Sequence, residues 1–72
     1  MPAVIYKRQK EILDLITNSV NKYGYAPTLT EIAQSLGLSS LATVHEHLSA
    51  LEKKGLIRRY RGAVRGIELL DN

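Results

Sequence analysis

The sequence predicts a mainly α-helical fold with a small β-hairpin, arranged as a three-helix winged helix-turn-helix. Three observations support this fold class. Apolar residues recur at helical spacing in three successive segments. A short turn containing Gly37 separates the second segment from the third, as in a helix-turn-helix. After Gly55 the pattern changes to two short β-prone runs. The predicted helices cover residues of about 7–23, 29–36 and 41–54.

The first two helices are bounded by recognisable local signals. Four apolar residues at helical spacing define the first helix: Ile12, Leu13, Ile16 and Val20. Gly24 ends it in the manner of a C-terminal glycine. Pro27 keeps the residue before it out of the helical region. Thr28 and Glu31 form a capping box that starts the second helix, and Gly37 ends it after about two turns.

The third helix follows a turn in which either Ser39 or Ser40 is able to act as N-cap. Its predicted inner stripe consists of Leu41, Val44, Leu48 and Leu51. An α-helix turns by about 100° per residue, so this stripe also defines the opposite face. That face carries Ala42, Thr43, Glu46, Ala50 and Lys53, with Ser49 nearby. Small side chains permit close approach to DNA, where Thr43 can contact thymine or a base edge and Glu46 can accept from cytosine N4.

Two histidines lie on the flanks of the third helix. His45 and His47 are two residues apart, so their side chains diverge, and no third ligand stands at a useful spacing. The sequence therefore predicts no metal site and no cofactor. We expect His47 to pack at the helix boundary and His45 to reach a base or a phosphate. No catalytic residue is predicted, because the chain has neither a glycine elbow around a serine nor a phosphate-binding glycine loop.

The segment after Gly55 predicts the wing. Its two strands are expected at residues of about 56–60 and 64–70, and Gly62 gives the turn between them its backbone freedom. Neighbouring residues of a strand face opposite sides, so at most two or three wing arginines can reach one DNA backbone together. Two pairs are predicted to share a face: Arg58 with Tyr60, and Arg59 with Arg61.

The net charge of +3 is modest and by itself says little about a partner. The distribution of the basic residues along the chain is stronger evidence for a phosphate-binding surface. Six of the ten basic residues lie between residues 53 and 65, and no acidic residue interrupts them. A cluster of this kind is typical of nucleic-acid binding, although a solvated basic edge that maintains solubility explains it equally well. The six are Lys53, Lys54, Arg58, Arg59, Arg61 and Arg65. A smaller cluster near the start consists of Lys7, Arg8 and Lys10.

Length and composition limit the possible architecture. A chain of 72 residues is expected to form one domain, 1–72, with a modest core and no deep cleft, which argues against an enzyme. The apolar start is too short for a signal peptide, and no run approaches the roughly 20 apolar residues of a membrane span. The sequence contains no cysteine, which suits a reducing compartment. We therefore expect a cytoplasmic protein without a membrane partner.

Seven segments together resemble the DNA-binding domain of the LexA repressor family, from about residue 6 to residue 70. The segments are Arg8–Leu13, Gly24–Thr28, Glu31–Ala33, Leu36–Leu38, Thr43–Leu48, Leu51–Ile57 and Arg65–Leu69. The combination is specific, whereas each segment alone would be weak. The resemblance implies dimeric binding to two-fold operators of DNA-damage (SOS) response genes, in the bacterial nucleoid. It also implies that RecA filaments stimulate self-cleavage of a full-length parent.

The resemblance also assigns individual residues. The family's base-reading positions correspond to Ser40, Ala42, Thr43, His45 and Glu46. Contacts to the DNA backbone are expected from Arg8, Ser39, Lys53, Arg58, Arg59, Arg61 and Arg65. Tyr6 replaces the family's usual Ser or Thr cap, so the first helix is expected to start differently. Ala42 and His45 differ from some branches of the family, so the operator sequence does not carry over.

The second half of the family's proteins is absent from this sequence. That half holds the Ala-Gly cleavage site, the Ser-Lys catalytic pair and the main dimer interface, so this chain is expected not to cleave itself. We expect an excised domain or a stand-alone relative, monomeric in isolation and paired on DNA. Two alternatives are also compatible with the sequence: a winged-helix module for protein interaction, and a stand-alone regulator outside the SOS response.

Overall fold

The computed structural model describes residues 5–70. The predicted domain is 1–72, so its first four and last two residues lie outside the described residues. Most of the apolar start is among them. Within 5–70, three helices precede a two-stranded antiparallel hairpin. The predicted fold class, a winged helix-turn-helix, is confirmed. The elements are α1 (Lys7–Tyr23), α2 (Leu29–Leu36), α3 (Leu41–Lys53), β1 (Ile57–Arg59) and β2 (Ile67–Leu69).

Local signals explain where the helices begin and end. Tyr6 precedes α1 in an extended conformation and gives it no side-chain cap. The capping box of α2 is complete, with the Glu31 N–H donating to Thr28 Oγ1 at 3.1 Å and the Thr28 N–H donating to Glu31 Oε1 at 2.9 Å. Ser40 is the N-cap of α3, since its Oγ accepts from the Ala42 N–H at 3.2 Å.

The strands are shorter than predicted. The pairing of β1 with β2 covers 57–59 and 67–69, not 56–60 and 64–70, because residues 60–66 form a compact turn. The Tyr60 N–H donates to the Gly66 carbonyl at 2.8 Å and closes this turn. The predicted end of the third helix at residue 54 is also one residue late, because Lys54 is already the C-cap.

The core lies where the three helices meet the first strand of the hairpin. Val44, Leu48 and Leu51 form the inner stripe of α3 and are fully buried. Leu41 was predicted to belong to this stripe, and that prediction is wrong, because its side chain is 45% exposed. The first turn of α3, where Ala42 is exposed as well, extends beyond the core. The core consists of Ile12, Ile16, Ala26, Ile32, Ala33, Val44, Leu48, Leu51 and Ile57.

None of the helices within residues 5–70 has both the length and the apolar character needed to cross a membrane.

Candidate nucleic-acid interface

The predicted base-reading residues all lie at the start of α3, on the side turned away from the core. Ala42, His45 and Glu46 are exposed, and Thr43 is half-buried. Because Ala42 and Thr43 have short side chains and no acidic residue precedes Glu46 in α3, the helix backbone at these positions can approach a surface closely. The structure therefore brings these positions onto one accessible helical face.

The two serines before α3 have different surroundings. Ser40 uses its Oγ lone pair to accept from the Ala42 N–H, which leaves the hydroxyl hydrogen free to donate outward. Ser39 is exposed one residue earlier. The Ser40 hydroxyl thus lies at the positive end of the α3 dipole, which favours a negatively charged partner such as a phosphate, and Ser39 directly precedes it in the chain.

Two predicted phosphate-contacting residues lie outside the wing. Lys53 is exposed in the last turn of α3. Arg8 lies in the first turn of α1, and its Nη1 donates to Glu11 Oε2 at 2.8 Å. The Arg8 side chain is 43% exposed, and a surface ion pair of this kind is weak, so a phosphate can compete for the guanidinium.

Three of the four wing arginines are exposed, and two of them, Arg61 and Arg58, lie apart from the helices. Arg61 lies in the turn between the strands, beside Gly62, Ala63 and Val64, all of them exposed. Arg58 is exposed on β1, in register with Glu68 on β2. These two guanidinium groups extend the basic surface beyond α3.

Arg59 instead turns towards α3. Its Nε donates to Glu52 Oε1 at 3.2 Å, and its Nη2 donates to Ser49 Oγ at 2.9 Å. Its Nη1 lies 3.4 Å from Nδ1 of His45. These contacts join the first strand of the wing to one flank of the predicted reading helix.

Arg65 also turns towards the protein. Its Nη1 donates to the Ala26 carbonyl at 2.9 Å and to Glu31 Oε1 at 2.8 Å, while Nη2 donates to Glu31 Oε2 at 3.2 Å. Its guanidinium lies over the Tyr25 ring, 4.4 Å from the centroid. The hydrogen bond from Arg65, followed by that from the Thr28 backbone N–H, lowers the pKa of Glu31 from 4.5 to about 2. Arg65 thus anchors the wing to the start of α2.

A cleft of about 500 Å³ separates α3 from the turn of the wing. His45 and Glu52 of α3 line the cleft, together with Arg59, Arg61 and Val64 of the wing. The predicted reading helix and the turn of the wing therefore border the same cleft. Within residues 5–70, no cluster of three His, Cys, Asp or Glu side chains is placed to hold a metal ion.

Comparison with known proteins decides the family. Residues 4–66 match the family model described as the LexA DNA binding domain. The chain belongs to the LexA DNA-binding domain family. The matched range includes all three helices and most of the wing, so the family resemblance proposed from the sequence is confirmed.

Relatives of this LexA-family domain agree with the match. The chain is 54% identical over 65 residues to the LexA repressor of Halalkalibacterium halodurans, covering 90% of this chain and 31% of the relative. It is 47% identical over 64 residues to the LexA repressor of Koribacter versatilis, covering 89% and 30%. Against the LexA repressor of Syntrophomonas wolfei it is 53% identical over 66 residues, covering 92% and 32%. The chain thus spans about a third of the length of these relatives.

Three residues of this LexA-family domain hold wing arginines beside the candidate interface, and the sequence analysis did not predict this role. Glu31, Ser49 and Glu52 accept hydrogen bonds from wing arginines. Glu31 was assigned only to the capping box, where one carboxylate oxygen is used. The helical spacing of Ser49 and Glu52 places them on the flank of His45, and this was the available signal. Their partners lie too far along the chain for sequence spacing to reveal.

Proposed function

We propose that this chain is the operator-binding part of a LexA-like repressor of the SOS response. The observation that carries the proposal is the exposed, small-residue face at the start of α3, in a member of the LexA DNA-binding domain family whose wing also exposes Arg58 and Arg61. In this proposal α3 enters the major groove of duplex DNA, and the wing follows the adjoining backbone.

The residues at the start of α3 read the bases in this proposal. Ala42 permits close approach, and Thr43 donates to a base edge or packs on a thymine methyl group. Glu46 accepts from cytosine N4. Ser40 and His45 complete the reading set, with the hydroxyl and the imidazole acting as hydrogen-bonding groups.

The remaining contacts hold the DNA backbone and fix the register of α3 on it. We leave Arg59 and Arg65 out of this set, although the sequence suggested both, because hydrogen bonds within the protein occupy their guanidinium groups. The proposed phosphate-contacting residues are Arg8, Ser39, Lys53, Arg58 and Arg61.

Partners and location follow from the same proposal. Two copies bind a two-fold operator, one in each half-site, and the protein works in the bacterial cytoplasm at the nucleoid. Dimerisation away from DNA, RecA-stimulated self-cleavage and the Ser-Lys peptidase belong to a full-length parent, since this chain covers about a third of the LexA repressors it matches.

A titration with duplex DNA at several salt concentrations tests the proposal. A duplex selected from a random library should bind the domain, with log K falling by about 0.9 per phosphate contact for each unit of log salt. Glu46→Ala should change the selected sequence, whereas Arg58→Ala should weaken every duplex by a similar factor. Lys22→Ala removes one charge outside the proposed interface and serves as the matched control.

Two results would contradict the proposal. Weak binding with no salt dependence would favour the alternative, a winged-helix module for protein interaction. If Glu46→Ala and Arg58→Ala lower the affinity by the same factor and leave the sequence preference unchanged, the placement of α3 in the major groove is wrong.

A further inference from the structure

We propose that Arg59 is a positioning residue that fixes His45 as an Nε2–H hydrogen-bond donor towards an acceptor atom of a base edge, foremost a purine N7. The inference rests on the proposed function in one respect, namely that α3 faces the major groove. The contacts within the free domain that carry it do not depend on DNA.

The Arg59 side chain is held by several independent contacts. Glu52 accepts from Nε at 3.2 Å and from the Arg59 backbone N–H at 3.3 Å, and Ser49 accepts from Nη2 at 2.9 Å. The side chain of Arg59 is only 26% exposed. A guanidinium is planar and rigid, so anchoring Nε and Nη2 also fixes the direction of Nη1.

The remaining nitrogen of this fork meets His45. Nη1 of Arg59 lies 3.4 Å from Nδ1 of the imidazole. Arginine donates hydrogen bonds and never accepts them, so Nδ1 must supply a lone pair. A neutral histidine with Nδ1 as acceptor carries its proton on Nε2, and the other tautomer would place a donor against a donor. Arg59 therefore selects both the tautomer and the orientation of the ring.

This selection gives His45 a defined hydrogen-bonding role. The side chain is exposed on the flank of α3 and lines the cleft beside the wing, so its Nε2–H is accessible to a ligand. In the major groove a donor pairs with purine N7, guanine O6 or thymine O4, and is repelled by the amino groups of cytosine and adenine. An imidazole free to exchange its proton would lose this discrimination.

Nitrogen NMR of the ¹⁵N-labelled free domain tests the first step. At pH about 8, the wild type should show unprotonated Nδ1 and protonated Nε2 at His45. Arg59→Gln and Ser49→Ala should move the Nδ1 chemical shift to a value that reports a mixture of tautomers. Arg59→Lys keeps the charge but not the rigid fork, and it should have the same effect. Arg61→Gln is the matched control, because Arg61 makes no hydrogen bond or ion pair with His45 among the described contacts. An identical Nδ1 resonance in the wild type and Arg59→Gln would overturn the inference.

Base-analogue binding tests the second step. Replacing one purine of the selected duplex by its 7-deaza analogue removes a single acceptor, and at the contacted position this should weaken wild-type binding by about fivefold. Arg59→Gln should lose most of that sensitivity, whereas Lys22→Ala, which lies outside the proposed interface, should keep it. No sensitive purine in the wild type would overturn this role for His45. Absence of duplex binding altogether would contradict the proposed function and leave the NMR result standing.

Discussion

Glu31 shows how a single side chain links two parts of the domain. One of its oxygens accepts from the Thr28 N–H and completes the capping box of α2. Both oxygens accept from the Arg65 guanidinium, which joins the helix to the wing. The ionised carboxylate is the form that all these donors favour, and the pKa of Glu31 is therefore lowered to about 2.

The lowered pKa of Glu31 predicts a pH-dependent contribution to stability. The pKa falls from 4.5 to about 2 on folding, so the contribution is fully present above pH 4.5 and is lost as the pH falls towards 2. Wild type should exceed Glu31→Gln in free energy of unfolding at neutral pH, and the difference should shrink below pH 4.5. Urea denaturation followed by circular dichroism measures both. In an Arg65→Gln background the pH dependence should weaken, and a difference that is constant with pH would contradict the prediction.

Arg65 is predicted to contribute to DNA binding only through the position of the wing. Arg65→Gln should lower the free energy of unfolding while leaving the slope of log K against log salt unchanged, because no phosphate contact is lost. Arg61→Gln should reduce that slope by about 0.9. A reduced salt slope for Arg65→Gln would restore this arginine to the phosphate-contacting set.

Among the elements, the wing depends most on a close backbone contact. The chain folds back at residues 60–66, where the Tyr60 N–H donates to the Gly66 carbonyl. A Cβ at Gly66 would lie 2.5 Å from the Tyr60 carbonyl oxygen and 2.9 Å from Ala63 Cβ. Gly66 is therefore required by close packing, whereas Gly62, with φ of +82°, is required by its backbone conformation.

These two glycines give a matched pair of wing variants. Gly66→Ala should distort the turn, because the contacting carbonyl is backbone and cannot move aside. Gly62→Ala meets no atom within 4 Å and should cost only the left-handed strain of about 1–2 kcal/mol. Hydrogen exchange should show lost protection at Tyr60 and Leu70 in Gly66→Ala, with the α1 and α3 amides unaffected. Equal protection in both variants would contradict the steric account.

On the scale of the whole molecule, stability depends on a small core shared by the three helices and β1. Leu48 is fully buried on α3, and Leu41 on the same helix is 45% exposed. Leu48→Ala should cost about 2–5 kcal/mol, a large part of the 5–15 kcal/mol typical of a folded domain. Leu41→Ala should cost less than about 1 kcal/mol. Urea denaturation of both variants provides the test, and similar losses would contradict the observed core.

The helical elements were predictable because their signals are local. The capping box at Thr28 and Glu31 and the C-terminal glycines Gly24 and Gly37 act within one helical turn, and they mark the ends that the structure shows. The strand ends were less predictable. β-prone residues continue into 60–66, but the chain turns there, so beyond Arg59 and Ile67 only the hydrogen bond from Tyr60 to Gly66 continues the pairing.

The sequence by itself determined the three helices, the hairpin, the family and the exposed face at the start of α3. Tertiary structure alone decided that Leu41 is exposed and that Arg59 and Arg65 face the protein. The physical reason is range: Arg65 meets Glu31 across 34 residues and Arg59 meets His45 across 14. Charge clustering shows that arginines are present on the wing. Only the folded chain determines which guanidinium groups are paired with a carboxylate of the protein and which are left to contact a phosphate.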